Sequence, residues 1–145
     1  MTKSTLDRQV EIRLLDHGVR YTKGRRSVVE ALARAPGPLS AAELQGVLRQ
    51  VPLSTIYRTL AVLEEAGVVT HHLGAKGLTR FELAEWLTGH HHHLVCVDCG
   101  SVADIDIPRR QEESVRALVE KIAALASFSP TDHALEIEGR CARCA

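Results

Sequence analysis

Aromatic side chains are scarce in this 145-residue sequence, with one Trp, two Tyr and two Phe. A core built from it must consist of Leu, Val, Ile and Ala. Net charge is absent too, since 18 Lys and Arg oppose 18 Asp and Glu. The longest apolar runs are a few residues, as in Leu94-Val95-Cys96-Val97, far short of the roughly 18 that a bilayer crossing needs. Met1-Thr2-Lys3-Ser4 does not lead into the apolar stretch of a secretory signal, so a cytoplasmic protein is expected. With 45% apolar and 25% charged residues, the composition is that of a folded globular chain rather than a disordered one. There is no internal repeat, and the one low-complexity tract is His90 to His93.

The zero net charge hides an asymmetry. Residues 1–88 carry a net +3 and residues 89–145 a net −3, which favours the first part for any anionic partner. That part alternates helical periodicity with clear stops. Leu6 to His17 ends at Gly18, Arg25 to Ala35 ends at Pro36-Gly37-Pro38, and Ser40 to Gln50 ends before Pro52. Ser40 and Glu43 have capping-box spacing. A fourth helix is bounded by Ser54 and Gly67, and Val68-Val69-Thr70 with Thr79 to Leu83 then reads as a β-hairpin. Helices followed by a hairpin make a winged helix-turn-helix. Further on, strands are expected at 93–97, 102–107 and 134–138. A helix over about 109–126 carries Val115, Leu118, Val119, Ile122 and Leu125 on one face. The fold class is therefore α+β, with a winged-helix DNA-binding domain over 1–84, a hinge at 85–89 and a small α/β dimerisation and metal-binding domain over 90–145.

In the fourth helix Ile56, Leu60 and Leu63 form a buried stripe, which leaves Thr55, Arg58 and Thr59 outside and Tyr57 on the flank. Hydroxyls, an arginine and an aromatic ring suit close approach to phosphates and base edges. Arg20-Tyr21-Thr22-Lys23-Gly24-Arg25-Arg26 sets four cations at a helix start, where the helix dipole does not call for them. Arg20, Thr22, Arg25, Thr55, Tyr57 and Arg58 are thus the candidate DNA contacts.

Cys96-x-x-Cys99 and Cys141-x-x-Cys144 are two knuckles with 41 residues between them. Together they offer the four soft ligands of a structural tetrahedral zinc site. In His90-His91-His92-His93, alternation along an extended segment points His90 and His92 one way and His91 and His93 the other. On the first face, His133 and either Glu112 or Glu113 can complete a site. On the second, Glu82 and either His72 or His71 can reach across from the hairpin, so that the bound metal fixes the angle between the domains. Imidazole with carboxylate suits zinc, ferrous iron, nickel or manganese.

In Ser54-Thr55-Ile56-Tyr57-Arg58-Thr59-Leu60, in Arg80-Phe81-Glu82-Leu83, and in His90 to Gly100 with Cys141 and Cys144, the sequence resembles the ferric uptake regulator superfamily of metal-sensing repressors. The resemblance spans about residues 10–144. It implies a homodimer whose winged helices bind AT-rich palindromic operators when a sensory metal is loaded. It further implies structural zinc on Cys96, Cys99, Cys141 and Cys144, a sensory site at Glu82, His91 and His93, and a second site at His90, His92 and His133. Where the family often places a sensory histidine, just before Ser40, this chain has Pro38 and Leu39, and His72 is the expected fourth sensory ligand. Four consecutive histidines, where iron-type members commonly have His-His-Asp-His, lean toward zinc as the sensed metal. The alternatives are an iron-responsive regulator or a peroxide sensor of the same fold, the latter drawing on Asp104. A zinc enzyme is less favoured, because neither H-E-x-x-H nor a deaminase-like H-x-E with P-C-x-x-C occurs.

Overall fold

The computed structural model describes residues 2–145. The chain opens with α1 (Lys3–Asp16), α2 (Lys23–Arg34), α3 (Ala41–Val47) and α4 (Leu53–Glu65). Helix α1 starts earlier than its apolar periodicity suggests, because the Thr2 hydroxyl accepts from the Thr5 N–H and caps it. Helix α3 is held at its start by a complete capping box between Ser40 and Glu43, but ends at Val47 rather than Gln50. Strands β1 (Val69–Leu73) and β2 (Thr79–Leu83) form an antiparallel hairpin in which His72 stands opposite Arg80 and Thr70 opposite Glu82.

The main core lies within these elements. Val10, Leu14, Val28, Val29, Leu44, Ile56, Leu60, Leu63, Val68 and Val69 are all fully buried. The expected hinge at 85–89 is largely helical. Residues Glu85–Thr88 form α5, Leu87 joins the main core, and Trp86 donates its indole N–H to the Gly67 carbonyl at 2.7 Å. Arg13 lies 4.1 Å above the Trp86 ring. Only Gly89, at φ +85°, lies outside this helical turn, in a backbone conformation that favours glycine.

The second unit is a three-stranded sheet of order β4-β3-β5 with one helix: β3 (His92–Cys96), β4 (Val102–Ile105), α6 (Arg109–Ala124) and β5 (Glu136–Gly139). β3 is central, antiparallel to β4 with His93 opposite Asp104, and parallel to β5 with Cys96 opposite Gly139. Its buried apolar residues among those described are few, namely Val95, Cys96 and Ala123. The apolar face of α6 is largely uncovered, with Leu118, Ile122 and Leu125 all exposed. A unit with so small a core needs other ties to hold its shape. Among the described residues no helix is long and apolar enough to cross a membrane.

Candidate metal centres

Cys96 ends β3, Cys99 follows in the turn toward β4, and Cys141 and Cys144 lie just beyond β5. The pairing of β3 with β5 brings the two knuckles together, and the four sulfurs lie within 4.8 Å of one another. None is in a disulfide. The Cys99 and Cys141 sulfurs are 3.8 Å apart. A tetrahedron with metal–sulfur bonds of about 2.3 Å has edges of about 3.8 Å, whereas a disulfide is near 2.05 Å. The backbone N–H of Cys141 donates to the Cys96 sulfur at 3.4 Å; this bond, more than any other contact, draws the Cys96 thiol down to about 6. The Cys144 thiol is pushed up to about 12, first by the neighbouring Cys141 sulfur and then by burial. Four thiols crowded so closely cannot all ionise unless a cation offsets their charge.

Alternation along residues 90–93 distributes the histidines between two clusters. His90 and His92 face α6 and His133. Glu112 meets His92 Nε2 at 2.7 Å, His133 Nε2 at 2.9 Å and His90 Nε2 at 3.3 Å. Of these contacts only that to His92 has hydrogen-bond geometry, so His90 Nε2, His133 Nε2 and Glu112 Oε1 are buried without hydrogen-bond partners. Buried polar atoms that converge without bonding one another are the donor set a cation would satisfy. The hydrogen bond to His92 holds the Glu112 carboxyl below its ordinary range. Glu113 points elsewhere and pairs with Arg109 one turn back.

His91 and His93 face the hairpin of the first unit. Glu82 Oε2 is 3.0 Å from His91 Nε2 and 3.2 Å from His93 Nε2. Asp104 Oδ1 is 3.6 Å and 3.4 Å from the same two atoms. The fourth member of this cluster is therefore Asp104, not the expected His72, because the β3–β4 register sets Asp104 beside His93. His72 stands one atom further out, with its Nε2 2.5 Å from the other Glu82 oxygen. His71 pairs with Glu64 on the exposed side. Burial works to raise the Glu82 pKa, but hydrogen bonds from His72, His93 and His91 outweigh it and hold the carboxyl well below the usual range. The Asp104 and Glu82 carboxylates push His93 up to about 10 against the effect of burial. His91 also rises, as bonds to Gly89 and Glu82 overcome its desolvation. Two carboxylates facing two imidazoles form a site that demands positive charge, whether from protons or from a metal ion.

A model of the ferric uptake regulator family matches residues 16–138. The chain belongs to this family. It is 37% identical to the ferric uptake regulation protein of Legionella pneumophila over 136 residues, 90% of this chain and 95% of that protein. The crystal structure of the Vibrio cholerae ferric uptake regulator superposes with a TM-score of 0.72 at 33% identity, covering 88% of this chain and 96% of that one. The Pseudomonas aeruginosa ferric uptake regulator, solved with manganese, gives a TM-score of 0.64 at 27% identity over 98% and 99% of the two chains. This family member is accordingly a metal-responsive transcriptional regulator and not an enzyme.

On its basic side, α4 leaves Tyr57 and Arg58 exposed and Thr55 half-buried, with Arg58 donating to the Thr55 hydroxyl at 3.3 Å. Arg20 is exposed. Thr22 serves as the N-cap of α2, accepting from the Arg25 N–H, while the Arg25 guanidinium donates to the Arg20 carbonyl at 2.5 Å. The fourth cation of the run, Arg26, is held by Asp7 at 2.9 Å and stacks on Tyr21.

The sequence pointed to His72 as the fourth ligand of the metal switch and to Asp104 only under the peroxide-sensing alternative. A hairpin centred on the first cysteine knuckle would have pointed to it, since such a turn pairs His93 with the residue eleven positions on.

Proposed function

We propose that this chain is a repressor that binds palindromic operator DNA as a homodimer when a divalent metal occupies Glu82, His91, His93 and Asp104, with zinc the favoured metal. The observation that carries the reading is that this cluster draws Glu82 from the hairpin and its other members from the second unit, 3.0–3.6 Å apart. Bound there, a metal ion supplies the positive charge that both carboxylates face. Glu82 ties the hairpin to β3, His91 and His93 present imidazole nitrogens, and Asp104 closes the set from β4. Residues 1–84 then form the winged-helix DNA-binding domain and residues 90–145 the dimerisation domain, pivoting at Gly89. Cys96, Cys99, Cys141 and Cys144 hold structural zinc, and His90, His92, Glu112 and His133 hold a further ion.

Tetrahedral zinc with nitrogen and oxygen ligands has donor–donor edges of about 3.3 Å, close to the spacings here. Iron is the second reading. It is favoured by the second carboxylate and by the Legionella relative, which is named a ferric uptake regulation protein. The test is binding of a duplex selected from a random library, measured with protein stripped of labile metal and then restored with buffered zinc or ferrous iron. Tight binding only after zinc supports the first reading, recovery with iron alone supports the second, and binding indifferent to metal contradicts both.

The homodimer reading rests on Leu118 and Ile122 of α6 and Leu125 at its C-cap, spaced i, i+4 and i+7, together with Leu94 and Ile137, adjacent in register on the sheet, all exposed in the single chain. At about 25 cal/mol per Å² of apolar surface, a second copy covering this face supplies what the small core lacks. Ile122→Glu is expected to convert the dimer to monomer in sedimentation and to weaken operator binding with it; an unchanged dimer would place the interface elsewhere.

Arg58 stands on the outer face of α4, where the recognition residues of a winged helix lie. Arg58→Ala is expected to weaken operator binding by about 1–3 kcal/mol if the guanidinium reads a base. Fluorescence anisotropy on the selected duplex measures it, and wild-type affinity would remove Arg58 from the contact surface.

A further inference from the structure

The two units meet at more than the histidine cluster. The loop between α2 and α3 lies against β4, where the Pro36 carbonyl accepts the Asp104 N–H at 2.8 Å. Gly37 beside it is so close to β4 that a β-carbon would stand 2.3 Å from the Val102 carbonyl oxygen. At the edge of this seam sits Arg80, only 4% exposed despite its charge. Its guanidinium donates to the Glu43 carboxylate at 2.6 Å, to the Gly100 carbonyl at 2.8 Å and to the Pro38 carbonyl at 3.3 Å. Glu43 is half of the capping box that starts α3, and Gly100 closes the turn after Cys99 at φ +72°. One side chain therefore grips the start of α3, the loop before it and the first cysteine turn.

Burying an arginine is costly unless its donors are matched, and here both terminal nitrogens are bonded, one of them to the second unit, while Nε has no partner among the described residues. The guanidinium places two separate nitrogens on the acceptors, one serving Glu43 and Pro38 and the other Gly100; a lysine concentrates its donors on one nitrogen and cannot reproduce that spread. Arg80 also lies two residues before Glu82 on β2, so both side chains leave the same face of the strand.

We propose that Arg80, with the tight seam at Gly37, is the coupling element that converts metal binding at Glu82, His91, His93 and Asp104 into a fixed placement of α3 and α4. The inference rests on the interdomain metal site proposed above. Among the described residues Glu82 is the one the first unit gives to that cluster, and one carboxylate fixes a point but not an orientation. Arg80 adds a second point. The Pro36 carbonyl adds a third, bonded to the backbone of Asp104 itself, so a pull on Asp104 is passed to the loop that leads into α3. Arg80 touches neither the metal cluster nor the outer face of α4 and is a positioning residue.

The test uses full-length R80M and G37A. Labile zinc per chain, melting temperature, and affinity for the selected duplex with and without buffered zinc are measured for each. Both variants are expected to bind as much zinc as wild type and to bind duplex without labile metal as wild type does. Their metal-induced gain in affinity falls about tenfold or more. R80K does not restore the gain, because one ammonium cannot span Glu43 and Gly100. G37A removes no polar group, so the same loss there assigns the effect to the seam. Should R80M fail to fold, E43Q decides instead: a reduced gain supports the coupling role and a full gain overturns it. A wild-type gain retained in both R80M and G37A overturns the proposal while leaving the metal-switch reading intact. No gain in wild type overturns both.

Discussion

Replacing both His91 and His93 with alanine is expected to abolish the metal dependence of operator binding while leaving a folded dimer. Both side chains point away from the sheet face that carries His90 and His92, and neither belongs to the main core. Their loss removes both imidazoles from the cluster and leaves Glu82 and Asp104, two carboxylates with like charge, at the join between the units. Without the ion the pull of Glu82 on β3 is lost and only the metal-independent contacts at Arg80 and Pro36 join the units, so the differential contact that favours the DNA-competent arrangement disappears. Coupling free energies of this kind are typically about 1–3 kcal/mol, so a gain of roughly 5- to 150-fold should collapse to none. The readout is duplex affinity with and without buffered zinc, beside sedimentation of the variant. A double variant that still tightens on DNA when zinc is added would end the switch account.

Replacing Cys96 with serine should have a larger effect on stability. Structural four-cysteine sites contribute apparent zinc-binding free energies of roughly 10–16 kcal/mol, comparable to or greater than the whole stability of an ordinary domain, about 5–15 kcal/mol. The second unit has little else to rely on, with Val95, Cys96 and Ala123 as its buried apolar residues among those described. Cys96 lies in the central strand, and its partners Cys141 and Cys144 tie down the chain beyond β5. The expected outcome is loss of one tightly held zinc per chain, loss of cooperative melting for the unit that follows Gly89, and loss of dimerisation with it. Circular dichroism melts alongside elemental analysis report all three. A Cys96→Ser protein that melts like wild type would show that zinc there is dispensable.

The histidine run was informative as sequence because strand alternation is a property of the backbone alone, so four adjacent imidazoles divide between two faces whatever surrounds them. The cysteine spacing was legible for the same local reason. Asp104 was harder, because its place depends on the register between β3 and β4, which a sequence shows only once the turn is located. The choice of Glu112 over Glu113 depends on the rotational phase of α6 against the sheet, and one residue turns a side chain by about 100°. His72 misled because it is near: it reaches Glu82 across the hairpin but stops at the outer oxygen. Arg80 gave no local signal of burial, since the cavity that holds it exists only where α3, the hairpin and the cysteine turn converge. Thr22 has a capping role at α2 that its sequence position also allows, its hydroxyl accepting from the Arg25 N–H.

The most direct measurement is anomalous scattering at the zinc edge from crystals of the intact protein grown with zinc. Three peaks per chain are predicted, one amid Cys96, Cys99, Cys141 and Cys144, one between His90, His92, Glu112 and His133, and one joining Glu82 to His91, His93 and Asp104. A map with the cysteine peak present and no density between Glu82 and the two odd-numbered histidines would contradict the claim that a metal ion bridges the units.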